Sequence, residues 1–181
     1  MNFSALKNSV LSDYDHATII IDDLCTAVRN GSPVSDLIEM LRQLDIYEKS
    51  HGHTSECCKI HICINSASVV IDLNMLGSDG FNVLHVACGS ANMKVMEYLI
   101  KKRKLNPNKR AKDDWRPLEI LVQNGLTEGV EFMLSHAKPN LSKISSRGSV
   151  LHTAVRNKNF KICQILLLAE RSLVNAVSPS G

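Results

Sequence analysis

A leucine-anchored tetrapeptide returns along the chain at nearly fixed spacing: Leu84-His85-Val86-Ala87, a degenerate Leu118-Glu119-Ile120-Leu121, then Leu151-His152-Thr153-Ala154. The leucines stand at positions 84, 118 and 151, so the step is nearly constant. A fixed period of this size marks a repeated helical unit. One such unit cannot bury its apolar face alone, so copies must stack into a solenoid. A second marker keeps the same phase: Asn74 precedes Leu84 by ten positions and Asn108 precedes Leu118 by ten. In the third unit Asn140 is one position out of phase.

The apolar periodicity agrees. Val95, Met96, Leu99 and Ile100 fall at i, i+1, i+4 and i+5, one stripe of a helix that Asn92 is placed to cap. Thr127 holds the capping place before Val130, Met133 and Leu134. Asn159 holds it before Phe160, Ile162, Cys163, Leu166 and Leu167. The methionines and phenylalanines of these stripes read as core. A shorter copy lies near the start, where Leu24-Cys25-Thr26-Ala27 takes the signature positions and Gly31 a C-cap. Ser32 then caps a second helix with Pro33 at its first position. Val34, Leu37, Ile38 and Leu41 form its amphipathic face. Residues 1–19 lack a strong period and are expected to be a loose lead-in. Asp22-Asp23 is read as a helix cap rather than an acid/base pair.

With its tips, the pattern resembles the ankyrin repeat family. Gly80-Phe81-Asn82-Val83-Leu84-His85 stands where that family has G-x-T-P-L-H. Asp114-Trp115-Arg116-Pro117-Leu118-Glu119 and Arg147-Gly148-Ser149-Val150-Leu151-His152 stand there in the next two units. The resemblance implies an all-α fold, an ankyrin-type helical repeat solenoid with short β-hairpin-like loop tips. It divides the chain into a capping or first degenerate repeat (20–42), an insert or degenerate repeat (43–72), and repeats at 73–107, 108–140 and 141–174. Val174-Asn175 and Gly181 reproduce the offset from Asn74 to Gly80, so residues 175–181 are expected to begin a further, truncated repeat of a longer array. His85 and His152 are implied to tie neighbouring loops. Repeat two keeps Pro117 but has Glu119 in place of the histidine, and is expected to be locally looser.

The same resemblance implies a concave binding face made of loop tips and the ends of the first helices. Its tip positions are Ser78, Asp79 and Phe81, then Lys112, Asp113 and Trp115, then Ser145, Ser146 and Gly148. Its helix-end positions are Arg29 and Asn30, Gly89 and Ser90, Gln123 and Asn124, and Arg156 and Asn157. Trp115 is the one tryptophan of the chain. It reads either as an outward hot spot, with Arg110 and Arg116 placed to stack on it, or as packing against the neighbouring tip.

Net charge is only +3, yet residues 101–112 hold seven basic and no acidic side chains, leaving +3 − 7 = −4 elsewhere. The basic patch is Lys101, Lys102, Arg103, Lys104, Lys109 and Arg110. Such a run reads as a solvated loop favoured by a helix C-terminus, as a contact for an acidic protein, or as a nuclear address. Nucleic acid fits less well, since no aromatics interleave the cations.

From Leu24 to Leu84 the chain runs one period plus an excess that falls in 43–72. Here lie His51, His53, Cys57, Cys58, His61 and Cys63. Four of them, His53, Cys57, His61 and Cys63 among the choices, could assemble a tetrahedral zinc site. Their spacing matches no familiar zinc signature, and the expected metal and cofactor content is none. Ile60, Ile62 and Ile64 fit a strand, while Cys57, Ile60 and Ile64 fit a helix face. Cys25, Cys88 and Cys163 sit in apolar stripes as reduced thiols, which suits a cytoplasmic chain, with the nucleus as an alternative. No P-loop, G-x-S-x-G, H-E-x-x-H or dinucleotide fingerprint occurs. The expected function is a non-enzymatic protein-interaction module. The alternatives are a regulatory segment of a larger enzyme or channel, and an ankyrin-type inhibitor of a transcription factor.

Overall fold

A computed structural model of the chain describes residues 13–49, 62–63, 68–69 and 72–177. These residues form eight α-helices, two short 3-10 turns and one small ribbon. The fold is an all-α helical repeat. Two units divide the chain after Val83.

In the first unit, α1 (Asp13–Arg29) and α2 (Val34–Lys49) pack as a pair. β1 (Ile62–Cys63) pairs antiparallel with β2 (Ser68–Val69), Ile62 opposite Val69. Helix α1 starts at Asp13, so residues 13–19 belong to it and not to a loose lead-in. Its buried stripe is Ile20, Ile21, Leu24, Cys25 and Val28. Asp22 and Asp23 lie mid-helix and cap nothing. Leu37 and Leu41 are buried on α2, whereas Ile38 reaches the surface. That helix also runs past residue 42, so the expected start of the insert falls inside it.

The second unit holds three helix pairs: α3 (Val83–Gly89) with α4 (Met93–Lys101), α5 (Pro117–Gln123) with α6 (Thr127–His136), and α7 (Val150–Arg156) with α8 (Phe160–Ala169). Helix α5 packs on α7, α4 on α6, and α6 on α8, so first and second helices build two rows. Between the rows lie Leu84, Ala87, Val95, Met96, Leu99, Leu121, Val130, Met133, Ile162 and Leu166, all inaccessible to solvent. Asn92 and Asn159 cap α4 and α8 by accepting from the amides of Val95 and Ile162. Thr127 does not cap α6: it is the first helical residue, and Leu126 holds the cap position without a side-chain bond. Phe160 departs from the core reading, being 82 % exposed.

One local device sets the period. Gly31, Ala91, Gly125 and Lys158 each take a left-handed conformation, each lying seven positions after a signature leucine (24, 84, 118, 151). In each, the residue's own amide and the next one close the helix end, as in Gly31 N–H to the Val28 carbonyl and Ser32 N–H to that of Ala27. This double closure satisfies the last carbonyls and turns the chain into the second helix.

Burial also tunes two thiols. Loss of solvent, with Asp79 adding to it, pushes Cys25 from an ordinary 9.0 up to about 12. Burial raises Cys88 as well. Above pH ~9 the unfolded chain therefore holds fewer protons than the folded one. Stability must fall as pH rises from about 9 toward 12, by up to ~1.4 kcal/mol per pH unit for each such thiol. Urea unfolding at pH ~8 and ~10.5 checks this, and a Cys88→Ala variant should show the shallower decline.

Candidate functional site

Each tip is closed by a short backbone bond: Gly77 N–H to the Phe81 carbonyl at 2.8 Å, Ala111 to Trp115 at 2.7 Å, and Ser145 to Gly148 at 3.0 Å. The first tip lies on α1. Ser78 N–H donates to Asp22 Oδ1 at 2.8 Å, and Arg29 pairs with Asp79. Phe81 N–H donates to the same Asp79 carboxylate at 2.9 Å. A Cβ on residue 77 would lie 2.3 Å from Asp22 Oδ1, so only glycine permits that approach. Arg29 and Asp79, both expected at the binding face, are thus partners of each other.

The second and third tips are joined through Arg147. Its guanidinium carbon sits 3.8 Å from the centroid of the Trp115 ring. One terminal nitrogen donates to the Asp113 carbonyl, and the other reaches Glu119 Oε2 at 3.1 Å. Arg156 donates to the Arg147 carbonyl at 2.8 Å, which adds the end of α7 to the cluster. Trp115 is therefore half-covered by the neighbouring tip. The residue stacked on it is Arg147, not Arg110 or Arg116. Arg110 pairs with Asp114 and holds that carboxyl below the usual carboxylate range. Arg116 is buried beside Glu119.

Glu119 corrects the expectation of a loose second repeat. It is 4 % exposed and accepts from the Arg116 amide at 3.2 Å, Arg116 Nη1 at 3.4 Å and Arg147 Nη2 at 3.1 Å. A carboxylate between two guanidiniums joins the tips of repeats two and three. His85 makes the corresponding tie one unit earlier, donating from Nε2 to the Lys109 carbonyl at 3.0 Å. His152 Nδ1 instead accepts from the Ser149 amide at 3.2 Å, within its own turn.

The helix-end asparagines are ties too. Asn124 Nδ2 reaches back to the Gly89 carbonyl at 3.4 Å, and Asn157 Nδ2 to that of Gln123 at 3.0 Å. Ser145 is buried, with its hydroxyl on the Gly148 carbonyl at 3.1 Å, so it cannot meet a partner as expected. Lys112, Asp113, Gln123, Ser146 and Arg156 are exposed. Asp113 and Asp114 both have left-handed backbones, φ +54° and +63°. Asp114 occupies the place of Gly80 and Gly148, one period from each, where φ is +82° and +95°. A non-glycine pair held this way marks a built tip rather than a slack loop.

Within the basic run Lys101 is engaged, 2.8 Å from Glu97 and 5.3 Å from the centroid of the Phe132 ring. Among the described residues no three His, Cys, Asp or Glu side chains gather to hold a metal. His53, Cys57 and His61 lie outside those residues, and Cys63 is described only as part of β1. No described helix is long and apolar enough to cross a membrane.

Sequence reasoning missed Arg147 as the hub. The available signal was charge one period apart: Asp113 and Arg147 occupy equivalent tip positions with opposite sign.

A family model for ankyrin repeats, in three copies, matches residues 24–144. The match ends before α7 and α8. No curated protein sequence matches the chain.

Proposed function

The chain belongs to the ankyrin repeat family, whose repeats are protein-interaction modules, and on that premise we propose that it is a non-enzymatic scaffold or adaptor gripping one protein partner by its loop tips and first-helix ends. Helices α7 and α8 form a further repeat in this reading. The observation that carries it is the tip cluster: Trp115 is held flat by Arg147, itself fixed by Glu119, Asp113 and Arg156. A half-exposed aromatic ring in a rigid charged frame has the character of an interface hot spot, because little side-chain freedom is lost on docking. Lys112, Asp113, Gln123, Ser146 and Arg156 would then rim it. Buried, protonated Cys25 and Cys88 support a reducing setting, the cytoplasm or nucleus. The partner in this reading presents an acidic surface.

Quantitative affinity capture from a cell lysate tests the assignment, comparing the full chain with its Trp115→Ala variant. One captured protein should fall about 30-fold, the ~2 kcal/mol scale of a hot-spot truncation. Circular dichroism should be unchanged. An unaltered set of captured proteins would place the interface elsewhere.

A further inference from the structure

The basic run does not act alone, since the structure sets a second basic loop beside it. Asn140 N–H donates to Asn108 Oδ1 at 2.7 Å, binding the loop after α6 to the loop after α4. Asn108, Asn140 and Lys143 line one crevice between them, together with the Arg116–Glu119 pair. Neither 102–112 nor 136–147 contains an acidic residue, although Glu170 reaches the second loop and accepts from Ser142 Oγ at 3.3 Å. Lys101, Arg110 and Arg147 are engaged within the fold. Lys102, Lys104, Lys109, Lys138 and Lys143 have no ion-pair partner among the described residues, and all but Lys109 are exposed.

Two of these lysines are held at a conformational cost. Lys104 and Lys138, one period apart, take left-handed backbones at φ +55° and +50°. Glycine adopts that conformation freely, while a residue with a Cβ does so at a penalty. Equivalent loops thus present an ammonium group where glycine would fold more easily.

We propose that these two loops form a binding surface, distinct from the tips, for an extended protein segment rich in aspartate and glutamate. The segment crosses from the Lys102–Lys104 side to Lys138 and Lys143, each ammonium meeting a carboxylate. Like charge concentrated on adjacent loops steers such a segment and rejects basic ones. A single strand of nucleic acid would also want aromatic platforms for its bases. The rings nearby are engaged: Trp115 carries Arg147, and Phe132 stacks on His136 at 4.5 Å between centroids. This inference rests on the protein-binding reading above, and names the partner's chemistry.

Fluorescence anisotropy on the full chain tests it, using a labelled peptide of alternating glutamate and serine, with oligothymidylate of equal length as the counter-probe. The peptide should bind more tightly than the oligonucleotide, and more weakly as salt is raised. Lys104→Glu with Lys138→Glu should cost about tenfold or more in affinity, as reversal of close charges does. Lys104→Gly with Lys138→Gly should also weaken binding, in a chain that folds at least as well, which separates lost charge from lost structure. Lysate capture by Trp115→Ala and peptide affinity of the two lysine pairs are measured independently, so failure of the tip assignment and failure of this one read out separately. Peptide affinity indifferent to both lysine pairs overturns the proposal, and tighter binding of oligothymidylate reassigns the surface to nucleic acid.

Discussion

Glu119→Ala is expected to lower the unfolding free energy by about 3 kcal/mol, the low end of what removing one partner from a buried charge cluster costs. The carboxylate is nearly inaccessible, and its three donors come from two repeats. Its removal deprives Arg116, 9 % exposed, of its ion-pair partner and releases Arg147 from one of its anchors. Arg147 Nε is already buried without a hydrogen bond among the described residues, so the guanidinium would keep only the Asp113 carbonyl and the Trp115 ring. Glu119→Gln keeps an acceptor while deleting the charge, and should lose less. Urea unfolding measures both, and a cycle with Arg147→Ala should show a coupling of about 1 kcal/mol or more between the side chains. A loss below ~1 kcal/mol for Glu119→Ala, the scale of a surface ion pair, would mean that the cluster is not a structural joint.

Leu121→Ala should cost about 2–5 kcal/mol, because Leu121 is fully buried between the helix rows and its removal opens a cavity in packed surroundings. Its Cδ2 also fills the space beside Gly129, where a Cβ would approach to 2.7 Å. Phe160→Ala should change stability by no more than ~0.5 kcal/mol despite removing a larger side chain, since Phe160 meets mostly solvent. The pair separates core from surface within the same two helix rows. Comparable losses for the two would contradict the burial pattern.

The repeat itself was legible because it is local. The signature leucines and the asparagines that cap α4 and α8 leave marks at a fixed offset, whereas the left-handed residue seven positions after each leucine is glycine, alanine or lysine and leaves none. Helix α1 is longer than the repeat expected at 20–42 because it begins at Asp13, ahead of the apolar positions that carry the repeat. Phe160 was over-read because apolar periodicity reports a helix face without saying whether anything covers it. The candidate site was legible only in outline. Trp115 and the tip positions follow from phase, but the stacking partner is decided between repeats, and Arg147 stands almost a full period beyond Trp115 in sequence. Glutamate in the histidine's place at position 119 suggested slackness, since pattern matching scores a missing residue and not its substitute. The carboxylate makes the histidine's tie by ion pairing.

Helix α8 offers a contrasting surface. Phe160, Leu168 and Val174 are exposed on and beside it and share a groove with Cys163, Gln164, Leu167 and Arg171. An apolar area of this kind also attracts partners, which makes it the natural competitor to the tips.

Hydrogen exchange of the full chain, free and with the partner selected by its dependence on Trp115, separates the two most directly. Slowed exchange at amides 111–116, 145–148 and 156–157 is the expected footprint of a partner held by tips and helix ends. Protection confined to 160–174, with the tips exchanging as in the free chain, would contradict it and move the interface to α8.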